Sequence, residues 1–391
     1  MRTAFLVRVV AWWFVLCVTS VAAQASEFEL ITQAPNGAKY QRLSGARGIR
    51  MTGMITPGDA DKLRAMLERL SAESPVKADQ PLGFVEMSSM GGDLSEGFKI
   101  GMLLRKYRMV SIVRQRDFCM SSCAFAFLGG NAHRSPSVYP EDCNLEIGGK
   151  VAFHNFWLNR AGLREVTSDD PVASRMQGFA DARGGAALLV QYAGDMGLPP
   201  NFVASLIGRP VEDFQYIETA GQFISFHVCP IGIGRPSTPP DVQAKNVCAN
   251  ALGELPKGEP VMTSMTAVQA KLYMLQRMQE NMQPSKAKGR LIEQLRNAVR
   301  SKDDIDKLYD DLSAAGVALP EIMGPTFEVG TEQNGSYEPA CYVSLSLKDP
   351  DKFDIVVQGP RGFTGPPHEP PESARRLFLY SRDDMINPRP H

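Results

Sequence analysis

The sequence predicts an α/β protein in which repeated β-α-β units are followed by a small helical segment and a short β-rich tail. Short apolar runs alternate with stretches of helical periodicity between residues 48 and 156. This alternation is typical of a largely parallel sheet covered by helices. A Pro- and Gly-rich stretch follows, and strand-like runs return only near the end of the chain.

The elements of the first half follow from apolar runs and helix-start residues. The helix from Asp59 places Leu63, Met66, Leu67 and Leu70 on one face. In chain order we predict a strand at 49–55, a helix from Asp59, a strand at 84–88, a helix after Asp93, a strand at 110–113, a buried helix at 121–128, a strand at 150–154 and a long helix at 171–196.

The second half divides into three regions. Its composition predicts a linker at 231–260, a helical segment at 261–318 and a β-rich region at 319–391. Apolar residues from Val268 to Met282 recur at helical spacing, which we interpret as a helix–helix interface rather than a ligand site.

The N-terminus has the features of a secretory signal peptide over residues 1–25. Arg2 and Arg8 precede an apolar run, and Ala23-Gln24-Ala25 is a small-residue pattern that signal peptidase accepts. An uncleaved membrane anchor is the alternative, although the run is short for a bilayer span. We therefore expect an exported protein, periplasmic or extracellular, with a first domain at 26–230.

Composition and cysteine usage limit which partners, metals and covalent links the sequence predicts. The 42 basic and 43 acidic residues nearly balance, which gives no reason to expect a nucleic acid partner. An even number of cysteines after the signal peptide favours disulfides in an exported chain. Zinc is the competing interpretation, but there is no Cys-x-x-Cys pair and the histidines are scattered, so we predict no metal and no cofactor. Those cysteines are Cys119, Cys123, Cys143, Cys229, Cys248 and Cys341.

One group of residues predicts hydrolase chemistry, although the Gly-x-Ser-x-Gly, Walker and His-Glu-x-x-His signatures are absent. A strand ending in Gly91-Gly92 lets the main chain approach a substrate closely, since neither residue has a Cβ. Ser121 falls at a predicted strand-to-helix junction, where the amide of Ser122 is available to an oxyanion. His154, at the end of a predicted strand, is the best-placed general base.

These motifs resemble those of the Clp protease proteolytic subunit and its relatives in the Clp and crotonase superfamily. The segments Met87–Asp93, Ser121–Phe125 and Ala152–Asn155 are similar to that family's Gly-Gly loop, nucleophile segment and histidine strand. The resemblance covers about residues 49–156 and implies Clp/crotonase-like units. It also implies Ser121 as nucleophile, His154 as base, and the amides of Gly92 and Ser122 as the oxyanion hole. The Cys-x-Ser-x-Cys around Ser121 is similar to exported Clp-like proteins.

Two departures from the family pattern matter. No acidic residue stands where the family places one after its long helix, and Asp213 is the nearest substitute for the third catalytic member. The path from Ser121 to His154 is longer than the family's, and the extra loop contains Cys143. We therefore expect a disulfide among Cys119, Cys123 and Cys143 to hold the nucleophile segment, with the pairing left open.

A purely structural role remains an alternative for each of these candidate residues. Ser121 is also a common type of helix N-cap, His154 also suits a structural role, Asp213 also suits a solvated loop, and Cys119 and Cys123 also suit a packed core.

Two function classes therefore remain. The first is a serine hydrolase acting on peptides or proteins. The second is a binding or scaffold protein that keeps the shell without an efficient triad, which the missing acid favours. Crotonase-type acyl-CoA chemistry is a weaker third possibility, because no basic phosphate site is evident. The resemblance also implies a homo-oligomer, with 171–196 as the contact helix.

Overall fold

The computed structural model describes residues 25–32, 40, 43–73, 80–131, 142–155, 171–272, 302–314, 322–349, 351–359, 362–364 and 372–388. The predicted signal peptide, apart from Ala25, and most of the predicted helix–helix interface lie outside these ranges. Within the described residues, no helix has both the length and the apolar character needed to span a bilayer.

The first part of the chain contains nine strands and seven helices among the described residues. The strands are β1 Glu27–Ile31, β2 Arg47–Thr52, β3 Gly83–Ser88, β4 Met109–Val113, β5 Phe118–Met120, β6 Cys143–Glu146, β7 Lys150–Phe153, β8 Gln215–Tyr216 and β9 Val228–Ile231. The helices are α1 Asp59–Glu73, α2 Leu94–Tyr107, α3 Ser122–Phe127, α4 Pro171–Met196, α5 Pro200–Ile207, α6 Ala220–Ser225 and α7 Pro240–Leu252.

Two sheets organise this part. The larger has the order β1-β2-β3-β4-β6-β9, and its strands from β2 onward pair in parallel while β1 is an antiparallel edge. The smaller sheet has the order β5-β7-β8. The predicted α/β class with a largely parallel sheet is thus confirmed. A strand before Ser121 was implied, but the bounds of β5 were not predicted, because a three-residue strand is too short for periodicity to register.

Burial, a helix cap and aromatic packing stabilise the elements around β3 and α2. β3 is buried at five of its six positions, as a central parallel strand covered on both faces must be. Asp93 caps α2, since its side chain accepts a hydrogen bond from the Glu96 amide at 2.8 Å. The core between α2, α3 and the small sheet is aromatic, with Phe98, Phe125 and Phe153 in edge contacts.

The last part of the chain forms an antiparallel sheet with the order β10-β11-β12-β13-β14. Its cysteines Cys248, on α7, and Cys341, on β12, form a disulfide. The elements are β10 Glu259–Met265, α8 Lys302–Ala314, β11 Thr326–Gln333, β12 Ser336–Leu345, β13 Phe353–Gly359, β14 Gly362–Thr364 and a 3-10 helix at Glu372–Leu379.

This arrangement corrects the predictions for 231–260 and 261–318. The middle of the predicted linker is α7, whose buried Ala244, Val247 and Ala251 pack against the antiparallel sheet. Pro239 and Pro240 start that helix rather than mark an irregular connection, because proline is well tolerated in the first helical turn. The predicted helical segment begins as strand β10, whereas the helix expected near its end is present as α8. In the predicted β-rich region, the described residues contain four strands, β11 to β14.

The C-terminal segment returns to the first part of the chain and braces the turn before β7. Asn387 accepts a hydrogen bond from the Gly148 amide at 2.8 Å and donates one to the Gly149 carbonyl at 2.8 Å. The Ile386 amide donates to the Glu218 carbonyl at 2.8 Å, two residues after β8. The residues at 381–388 therefore support the small sheet.

Candidate active site

Ser121 occupies the turn between β5 and α3 in an unusual backbone conformation. Its φ of 55° and ψ of −126° lie in a region that non-glycine residues rarely adopt. Its amide is held by the Ala152 carbonyl of β7 at 2.9 Å. Although Ser121 precedes the first residue of α3, its side chain makes no capping hydrogen bond. An ordinary N-cap serine has extended backbone angles and caps through its hydroxyl, so the capping interpretation does not describe this residue.

His154 directly follows β7 and contacts the serine. Its Nε2 lies 2.7 Å from Ser121 Oγ, and its Nδ1 lies 3.1 Å from the main-chain oxygen of Val211. A carbonyl oxygen can only accept a hydrogen bond, so Nδ1 carries the proton in the neutral ring. Nε2 is then unprotonated and accepts the hydrogen bond from the Ser121 hydroxyl. This is the tautomer that a general base for serine requires.

The surroundings of His154 favour its neutral form. Burial lowers the pKa of His154 below its ordinary value, and the hydrogen bond with Val211 only partly opposes this effect. The ring also packs on Phe214, with 4.5 Å between ring centroids. The imidazole is thus held between an aromatic ring, a carbonyl and the serine, and it is available as a base at neutral pH.

Asp213 does not occupy the third position of a triad in the structure. Its carboxylate forms an ion pair with Arg209 at 2.7 Å, and its side chain is 51% exposed. The group at His154 Nδ1 is instead the carbonyl of Val211, two residues earlier in the same loop. Sequence reasoning missed this partner because every residue has a carbonyl, and a main-chain acceptor therefore leaves no signal in side-chain chemistry.

The Gly91-Gly92 loop is packed against the serine turn. A Cβ on Gly91 would lie 2.7 Å from Ser121 Cβ, and a Cβ on Gly92 would lie 2.1 Å from the Ile55 carbonyl. Both glycines also have positive φ, 91° and 147°. From the sequence we expected their missing Cβ atoms to permit the approach of a substrate. In the structure these positions face protein atoms, so the glycines allow the loop itself to reach the nucleophile.

Two main-chain amides are available beside Ser121. Ser122 is the first residue of α3, and helix geometry gives its N–H no partner within the helix. Ile55 donates to the Gly91 carbonyl at 2.9 Å and accepts from the Asp93 amide at 2.9 Å, which leaves the Gly92 N–H outside this bridge. Because a trans peptide points its N–H and C=O in opposite directions, the Gly92 N–H points away from Ile55.

The predicted cysteine tether exists as one disulfide, between Cys119 and Cys123. It brackets Ser121, with 5.1 Å between the two Cα atoms. Cys143 is outside both disulfides, although we expected it as a possible partner of Cys119 or Cys123. It begins β6, and its buried sulfur lies 3.2 Å from the Phe127 carbonyl at the end of α3. Two disulfides fit an oxidising compartment.

Comparison with known proteins adds no assignment. No protein-family model matches the chain, and no curated protein gives a significant match. The residues around Ser121 are therefore the basis for a functional proposal.

Proposed function

We propose that this chain is an exported serine hydrolase that cleaves peptide or protein substrates with Ser121 and His154. One observation carries the proposal: Ser121 has a strained, non-capping conformation that directs its hydroxyl to His154 Nε2, 2.7 Å away. Backbone strain of this kind persists only where the surrounding structure enforces it, and it clusters at functional sites.

The proposed reaction begins when the Ser121 hydroxyl attacks a substrate carbonyl carbon. The hydroxyl proton moves to His154 Nε2, and the carbonyl oxygen becomes an oxyanion that the N–H groups of Gly92 and Ser122 stabilise. His154 then returns the proton to the leaving amine, and an acyl group remains on Ser121. Water, deprotonated by His154, hydrolyses this ester and restores the free serine.

The carbonyl of Val211 performs part of the work of a catalytic carboxylate. It holds His154 in the required tautomer through the contact at 3.1 Å. It carries no negative charge, so it stabilises the imidazolium less than an aspartate does. We therefore expect a hydrolase that is slower than one with a complete triad.

A binding or scaffold protein is the second candidate, and the uncharged partner of His154 favours it. A site without a carboxylate beside His154 is consistent with a shell that has lost efficient catalysis. The two candidates differ in whether Ser121 reacts, because a scaffold does not require a nucleophilic serine.

Membership of the Clp and crotonase superfamily and self-association are part of the proposal. The order of two strands and a helix recurs as β4, β5, α3 and then β6, β7, α4, which supports repeated units. On α4 the apolar side chains of Val172, Met176 and Phe179 are 62%, 69% and 65% exposed. Their spacing places them on one face, which suits contact with another copy.

Labelling with a fluorophosphonate tests the proposal. We expect the secreted protein to be labelled at Ser121 and the folded Ser121→Ala variant to remain unlabelled. Ser122→Ala is the matched control, because it keeps the amide and removes a buried hydroxyl without a hydrogen-bond partner among the described residues. Labelling that persists in Ser121→Ala, or is absent from the wild type, removes the hydrolase proposal.

A second comparison tests the base. We expect His154→Ala to slow labelling by about 10⁴-fold or more, as loss of a base does in serine hydrolases. His227→Asn is the control, since His227 has a φ of 53° and asparagine tolerates that conformation. An equal loss in both variants would show that His154 is the wrong base.

A further inference from the structure

The loop after α5 carries the group that orients His154. This loop, residues 208–214, leads from the end of α5 to β8, and Val211 lies in its middle. Its carbonyl is 3.1 Å from His154 Nδ1. A main-chain carbonyl on a loop holds the imidazole only as firmly as the loop itself is held. The contacts that fix 208–214 are therefore part of the geometry of the base.

The side chain of Asn155 makes the contacts that tie this loop to the strand bearing the histidine. Its Nδ2 donates to the Ile207 carbonyl at 3.0 Å and to the Arg209 carbonyl at 3.0 Å. Ile207 is the last residue of α5, where helix geometry leaves carbonyls without partners. One amide group thus fixes both the end of the helix and the start of the loop.

Other contacts also hold the loop: the Gly208 and Arg209 amides donate to carbonyls of α5, and Phe214, the last loop residue, packs on the His154 ring. The Asp213 amide donates to the Pro210 carbonyl at 3.1 Å, and the Arg209–Asp213 ion pair spans Val211 on the exposed side. The Asp213 contacts shape the loop and Phe214 holds its end, whereas Asn155 ties the part before Val211 to the chain beside His154. Exposed ion pairs of this kind contribute little to stability.

We propose that Asn155 is a positioning residue for His154, acting through the loop that presents the Val211 carbonyl. His154 and Asn155 are consecutive, so a closed ring of contacts runs from the imidazole to Val211, along the loop to Arg209, and through the Asn155 amide back to the chain beside His154. Loss of the amide opens this ring. Nδ1 then loses its fixed acceptor, and the proton is free to move to Nε2, where it blocks proton transfer from Ser121.

This inference deepens the proposed function and rests on it for its catalytic consequence. Its structural content, the tautomer of His154, can be measured without any reaction. The experiment uses the full secreted chain with ¹⁵N-labelled histidine, and NMR shifts of the two ring nitrogens report which one carries the proton. His154 is assigned by the signal that disappears in His154→Gln.

We expect the wild type to show the Nδ1–H form and Asn155→Ala to show a mixture with the Nε2–H form. Asn155→Asp should behave in the same way, since an ionised carboxylate cannot donate to two carbonyls. The rate constant of fluorophosphonate labelling should fall up to about 100-fold in both variants. Asn201→Ala is the control, because among the described residues the Asn201 side chain makes just a local hydrogen bond, which it accepts from the next amide at 3.0 Å.

The outcomes distinguish the positioning role of Asn155 from the hydrolase proposal. A wild-type tautomer in Asn155→Ala, with or without a lower melting temperature, overturns the inference and reduces Asn155 to a cap of α5. A changed tautomer in a protein whose wild type never reacts with the probe supports the positioning role and refutes the hydrolase proposal. A changed tautomer in Asn201→Ala as well overturns the inference, because general loosening would then explain the effect.

Discussion

Replacing Gly91 with alanine should disable Ser121 by a physical overlap that the structure allows us to estimate. The new Cβ would lie 2.6 Å from the Met120 carbonyl oxygen, 2.7 Å from Ser121 Cβ and 3.0 Å from the Ser122 nitrogen. Ordinary contacts begin at 3.4 Å. Two of these three neighbours are main-chain atoms of the nucleophile turn, so relief of the overlap requires that turn to move.

Two costs contribute to the predicted loss of stability. Alanine at the φ of 91° found for Gly91 costs about 1–2 kcal/mol relative to glycine. Overpacking against a closely packed neighbour adds about 1–3 kcal/mol. The Gly91→Ala variant should therefore unfold with a free energy about 2–5 kcal/mol lower than the wild type.

Gly45→Ala separates these two costs. Gly45 has a φ of 78°, and among the described residues no atom beyond its chain neighbours lies within 4 Å of a built Cβ. This variant should lose only the backbone contribution, about 1–2 kcal/mol, in urea unfolding. Its fluorophosphonate labelling should match the wild type, whereas labelling of folded Gly91→Ala should fall about 100-fold or more. Equal stability losses and equal labelling in the two variants would refute the close approach of Gly91 to the nucleophile.

Three further predictions concern the base, the two disulfides and the exposed face of α4. Because burial lowers the pKa of His154, the deprotonated base persists on acidification, and the labelling rate should fall only below about pH 6.5. A midpoint at or above that pH would contradict the burial of His154. Replacing Cys119 and Cys123 with serine should lower the free energy of unfolding by about 2 kcal/mol and slow labelling of the folded protein. Loss of the disulfide between α7 and the C-terminal sheet should lower it by about 4 kcal/mol and leave labelling unchanged. The reverse pattern of labelling would show that the Cys119–Cys123 disulfide does not position the nucleophile. Light scattering at micromolar concentration should give a mass above one chain that falls in Phe179→Glu, and a strict monomer would count against contact through α4.

The sequence alone was enough to predict that Ser121 and His154 would lie together. A strand end with two glycines, a serine at a strand-to-helix junction and a histidine at a strand end are local features, and each needs particular residue types. The long helix was also predicted at 171–196, the bounds of α4. Signals of this kind depend on neighbours in the chain.

Tertiary structure decided the features that depend on partners distant in the chain. The carbonyl of Val211 meets His154 across 57 positions, and no side-chain pattern could indicate which carbonyl would arrive there. The pairing of Cys119 with Cys123, rather than with Cys143, depended on where β6 lies beneath α3. Asp213 was a reasonable choice by residue type, but the loop turns its carboxylate toward Arg209. Residue type specifies what a group can do, whereas packing determines which group it contacts.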